Sequence, residues 1–178
     1  MAASLQALID ALDHERLALL DGVEALGADA ISARSQPDTW SILEIVEHLV
    51  LAEAAILQGL PPTTELTDRP RSLKQRILFQ VVMAILRFGI PVKVPTRRMV
   101  PTGQVPLEEL RKRWDGHLRW LRTHGEGLDA EGERRAVFQH PVAGPITLAQ
   151  ALRMACLHLG VHRRQIRKRQ EGQARQNG

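Results

Sequence analysis

The chain holds seven histidines in 178 residues, and three of them are placed for metal chemistry. His158 and His162 lie four residues apart in the stretch Thr147 to Ile166, TLAQALRMACLHLGVHRRQI. On an α-helix that spacing is about 6 Å of rise and nearly a full turn, so both imidazoles point the same way and both nitrogens can meet one ion. Such a pair also occurs in ordinary helices with hydrogen-bonded histidines, so a metal reading needs a third ligand. His48, in the middle of an earlier helix, supplies the candidate. If the two helices are neighbours, three neutral imidazoles converge and leave a coordination position open, which is catalytic rather than structural geometry. A structural zinc site would want four ligands rich in Cys, and the chain has one cysteine, Cys156.

The elements that must position these residues are legible. Thr147 as N-cap and Gln150 three residues later make a capping box, with Gly144 and Pro145 keeping the preceding chain out of the helix. Leu148, Ala151, Leu152, Ala155, Leu159 and Ile166 then form an apolar stripe, with His158 and His162 on or beside it. Ser41 and Glu44 make a second capping box, and Trp40 and Ile45 are spaced for a hydrophobic staple, so the helix of His48 starts at Ser41. Gly59, Pro61 and Pro62 end it. An amphipathic first helix is expected from Ser4 to Leu26, followed by loop from Gly27 to Asp38. Leu73 to Phe88 reads as a strongly apolar helix that belongs deep in a bundle or at a subunit contact, stopped by Gly89 and Pro91. Residues 91–105 form a long crossover, Pro106 opens a further helix at N1, and Gly125 to Gly144 reads as loop. The expected fold class is all-α: a bundle of four principal helices, or five if the apolar segment and the Pro106 helix do not merge into one bundle position, with at least one long crossover, occupying residues 1–166, and a basic mobile tail over 167–178.

Composition agrees. Scarce aromatics and 44% hydrophobic residues suit helix-on-helix packing by Leu, Ile, Val and Ala. One cysteine excludes an internal disulfide framework and is consistent with a cytoplasmic location. No signal-peptide pattern opens the chain, and the apolar run Ile77 to Ile90, broken by Gln80 and Arg87, is too short to span a membrane. The net charge of +4 is uneven: residues 1–68 carry −10 and residues 69–98 carry +8. The expected meaning is an acidic first half packed against a basic middle. Without interleaved aromatics or a known motif, the basic residues do not point to nucleic acid.

Taken together, Trp40-Ser41-Ile42 leading into Glu47-His48-Leu49, His140-Pro141 followed by Gly144-Pro145-Ile146-Thr147-Leu148, and His158-x-x-x-His162-x-x-Gln165-Ile166 resemble the DinB-like superfamily, in particular its small single-domain branch. The resemblance runs from the first helix to Ile166. It implies an antiparallel four-helix bundle, often a homodimer, with a divalent metal, commonly nickel or zinc, on three histidines matching His48, His158 and His162. It also implies activities that range from bacillithiol transferases and mycothiol-dependent isomerases to metal-dependent hydrolases. A small-molecule substrate is expected, with a low-molecular-weight thiol as cosubstrate and thiol transfer slightly ahead of hydrolysis. A non-catalytic metal-binding helical dimer is the alternative from another class. No residue is assigned a catalytic role, and no carboxylate is placed in the site.

Four further residues have plain readings. His117 is a lining histidine of the Pro106 helix rather than a fourth ligand, and Glu44 is a cap. Gln165, one turn past His162, either orients that imidazole or sits at the surface. Cys156 points to another side of its helix and is packing.

Overall fold

The computed structural model describes residues 4–66, 69–90 and 97–176. Six α-helices follow in order: α1 (Leu5–Glu24), α2 (Ala28–Ser32), α3 (Ile42–Leu57), α4 (Leu73–Phe88), α5 (Leu107–Glu126) and α6 (Leu148–Gln176). Helices α1, α3, α5 and α6 form the bundle, in which α1 and α3 each pack against both α5 and α6. Their shared core includes Ile9, Leu12, Leu20, Ile42, Ile45, Val46, Leu110, Trp114, Leu118, Leu148, Leu152 and Leu159.

Cross-helix contacts give the directions. Arg111 reaches Asp21 and Glu24 while Arg122 reaches Asp10 and Asp13, so α1 and α5 run antiparallel. Helix α5 runs parallel to α3: Thr102 and Gly103, just before α5, donate to Glu47 near the start of α3, and Trp114 Nε1 donates to Glu53 one and a half turns on. The long connection between α3 and α5 makes this possible, because it carries the chain from the end of α3 back to the end where α3 begins.

The helix starts lie where the capping chemistry puts them. Ser41 and Glu44 exchange both hydrogen bonds of a capping box, as do Thr147 and Gln150. Ser72 and Gln75 form a third, at the start of α4. Gly89 closes α4 in the left-handed region, at φ +67°, which only glycine adopts without strain.

Four expectations need correction. Helix α4 is not deep in the bundle: of its residues only Phe79 is buried, and Leu73, Ile77, Val81 and Phe88 are exposed. It lies outside, on α6, where Phe79, Ala143, Ile146, Ala151 and Met154 make a small second core. The Gly27–Asp38 loop contains α2, whose Ile31 is buried against the main core. The Gly125–Gly144 loop contains the strand Phe138–His140, which pairs antiparallel with Gly144–Ile146 in a hairpin under α4. Finally, α6 does not stop at Ile166 but runs to Gln176. The Arg, Lys, Gln and Glu residues there lose apolar periodicity yet keep strong helix propensity, and Arg169 is tied to Ser35 Oγ at 2.6 Å. Pro91 and Lys93 of the crossover fall outside the described residues.

The acidic first half is neutralised differently from expectation. Among the described residues the carboxylates of α1 pair with Arg111 and Arg122 of α5 and with Arg163 of α6. Arg16, almost wholly buried, is held inside by Asp13 and by Asp115 at 2.6 Å. Among the described residues no helix is long and apolar enough to cross a membrane.

Candidate metal centre

Helices α3 and α6 bring His48, His158 and His162 together, so that one ligand nitrogen from each lies within 4.8 Å of the others. The capping boxes set the rotation of each helix about its own axis, and the core stripes set how far each slides past the other. His48 is buried on the α3 face that meets α6, and His162 is 7% exposed. Trp40, just ahead of the α3 cap, covers one side of His48 with ring centroids 4.9 Å apart. Its place before the cap gives it a role the staple motif alone did not announce.

Hydrogen bonds orient two of the three rings. His48 Nδ1 lies 2.7 Å from the carbonyl oxygen of Met99, which can only accept, so Nδ1 carries the proton and Nε2 the lone pair. His162 Nδ1 lies 2.9 Å from Gln165 Oε1, and the same argument leaves its Nε2 as a lone pair. That Nε2 faces His158 Nε2 at 3.0 Å. Two imidazoles bound cis on one transition-metal ion, with metal–nitrogen bonds of about 2.0–2.1 Å, sit at much this separation. Gln165 is exposed and still orients the imidazole.

Electrostatics favours the same chemistry. Burial, then the neighbouring His162 and His48, drives the His158 pKa down to about 3. Burial and His48 lower His162 to about 4, and burial lowers His48 although its bond to Met99 opposes the shift. All three rings are therefore neutral at pH 7, the form in which imidazole binds a metal. Ligand nitrogens converging in a buried place, with orienting partners on the outer nitrogens of His48 and His162, fit a metal ion held by His48, His158 and His162.

The remaining sequence candidates lie elsewhere. His117 Nδ1 is 3.6 Å from Glu53 Oε1 and takes no part in the cluster. Glu44 is committed to the cap and to Arg34, whose Nε donates at 2.9 Å. Glu47 accepts from Thr102 and Gly103. Among the described residues no carboxylate hydrogen-bonds to the three imidazoles. Burial raises the Cys156 thiol, which fits packing rather than nucleophilic use. His140 Nδ1 accepts from the backbone N–H groups of Val142 and Ala143 and so shapes the hairpin turn. The Met99 carbonyl had no sequence signal, since a backbone oxygen 51 residues from His48 carries none.

No curated protein and no solved structure matches the chain. A family model described as the DinB superfamily matches residues 5–166, which span the bundle, both capped helices and all three histidines. By that match over most of its length, carried on a helical fold whose histidines converge as a metal-binding protein's would, the chain belongs to the DinB superfamily.

Proposed function

We propose that the protein is a metal-dependent enzyme that transfers a low-molecular-weight thiol to a small-molecule electrophile, with nickel or zinc held by His48, His158 and His162. A cation held there lowers the pKa of a thiol or a water that reaches it. The observation that carries the choice is the absence, among the described residues, of a carboxylate on the imidazole cluster. Hydrolysis asks for a general base to take a proton from water, whereas a thiol, with an ordinary pKa near 8.5, gives up its proton far more readily than water does. Arg97 and Arg98 support the same reading. They are exposed in the turn that ends at Met99, whose carbonyl touches His48, and so place positive charge where a carboxylate-bearing thiol would approach. Met99 and Gln165 hold the imidazoles, and Trp40 shields His48 from water.

The test uses protein loaded with nickel or zinc, monochlorobimane as electrophile, and bacillithiol, mycothiol, glutathione or cysteine in turn. Acceleration by one thiol, lost in His158→Ala, is the expected result. No acceleration by any thiol, together with metal-dependent ester or amide cleavage, would replace transfer by hydrolysis. Silence in both assays with metal still bound would leave a binding module.

The same proposal includes a homodimer. Leu73, Ile77, Val81 and Phe88 form an exposed apolar stripe along α4, and a second copy would cover it. Light scattering is expected to give twice the chain mass, and a Val81→Glu change to give the monomer. A monomeric wild type at micromolar concentration would remove the dimer.

A further inference from the structure

Away from the imidazoles, a cavity of about 320 Å³ opens at the N-terminal end of α6, lined by Arg69, Arg71, Arg134, Arg135, Thr147 and Gln150 together with Pro70, Ala136 and Pro145. Three separate parts of the chain meet there: the segment before α4, the turn before the hairpin, and the first turn of α6. None of these lining residues is acidic. The volume is at the lower end of the ~300–1,000 Å³ of small-molecule sites.

We propose that this cavity binds a small phosphate-bearing molecule through Arg71 and Arg134. The first support is Arg71, whose Nη1 is shielded from solvent and has no hydrogen-bond partner among the described residues. The guanidinium keeps its charge and lines the cavity with no acidic residue among the described lining beside it, so its other N–H groups are left to meet an anion there. The position is not accidental slack in a long side chain: the guanidinium carbon lies 4.9 Å from the centre of the Phe79 ring, which holds the fork in place. The second support is the helix end. Helix α6 has no acidic residue in its first turn, so the positive end of its dipole is uncompensated beside the arginines. The third is the pairing of two forks, since two arginines lining one cavity match the three oxygens of a phosphate better than the two of a carboxylate. Arg135 plays another part: it is held by the Leu66 carbonyl at 3.1 Å and by Glu131, and so braces the wall.

This site is not the metal centre. From Thr147 to His158 α6 rises about 16 Å, so a molecule filling the cavity does not touch the imidazoles. Its function is recognition of an anion by fixed charge, and its occupancy does not depend on the reaction proposed above.

The test is phosphate binding by the full chain in a phosphate-free, low-salt buffer. Titrating inorganic phosphate, then a phosphate monoester, against thermal stability and by calorimetry is expected to show saturable binding at millimolar concentration or below, tighter for phosphate than for acetate. Arg71→Gln is expected to weaken it ~10-fold, the cost of losing a charge-assisted hydrogen bond, and Arg71→Lys by less. Metal content should be unchanged in both. A merely structural Arg71 would instead give a Gln variant that melts lower with phosphate binding intact, and that result overturns the proposal. So does a wild type that gains no stability from phosphate. Equal binding in Arg134→Gln and Arg71→Gln as in wild type would show that phosphate binds elsewhere, which also overturns it.

Discussion

Helix α6 carries two clusters of nitrogen, and they suit ligands of opposite charge. Near its start lie arginines around a cavity, and about three turns further on lie two of the three imidazoles. At the imidazoles burial removes the charge, taking His158 to about 3 and His162 to about 4, and so leaves lone pairs for a cation. Arg71 keeps a guanidinium's fixed charge, and no acidic residue among the described lining of the cavity meets it. The sign of the ligand a buried nitrogen takes is set by the intrinsic basicity of the group, not by the burial.

The contrast breaks most directly at the ligands. His48→Ala or His158→Ala should lose metal by well over the ~10–100-fold that removal of an orienting partner costs, while Arg71→Gln keeps it. Metal-to-protein ratios after loading and desalting measure this, and full occupancy in either histidine variant would dissolve the cluster as a site. Next in size is Gln165→Leu, which leaves the three ligands but frees the His162 ring. A chelator competition should find affinity down ~10-fold. Unchanged affinity would reduce Gln165 to a bystander.

A smaller effect separates the two ends by stability. Ser41→Ala removes the cap of the helix that carries His48 and should cost about 1 kcal/mol in denaturant unfolding. A variant as stable as wild type would mean that packing alone holds the start of α3. The associated pH dependence has a definite sign. Burial alone would raise the Glu44 carboxyl, but the hydrogen bonds from Arg34 and Ser41 outweigh it and hold its pKa below the usual 4.5. The stability it contributes is therefore present above that range and lost as pH falls through it. Glu44→Gln should flatten the acid limb of the melting curve, whereas Arg71→Gln should shift the curve by an amount that does not vary between pH 4 and 7 (about the range where carboxylates and histidines titrate). An unaltered acid limb in Glu44→Gln would show that other carboxylates dominate it.

The smallest expected effect is that of salt. Raising sodium chloride should weaken phosphate at the arginine cavity by screening and leave metal affinity nearly constant, since neutral imidazoles offer no net charge to screen. Equal salt dependence at both sites would undo the distinction between them.

What the sequence by itself determined is local. The starts of α3 and α6 are written in Ser41-x-x-Glu44 and Thr147-x-x-Gln150 because a capping box closes within four residues. The alignment of His158 with His162 follows from helix geometry alone, and membership of a helical bundle follows from the apolar periods of α1, α3, α5 and α6. The convergence of His48 on the pair was carried by resemblance, since nothing in the spacing makes α3 and α6 neighbours. Only the tertiary structure decided the rest. It put the Met99 carbonyl on His48, laid α4 outside the bundle with Leu73, Ile77, Val81 and Phe88 bare, and folded a charged, glycine-rich stretch into a hairpin beneath it. It also gathered Arg71 and Arg134, 63 positions apart in the chain, around one cavity. Read along the chain, each is one more arginine, because the cavity they share belongs to the packed molecule and has no local spelling.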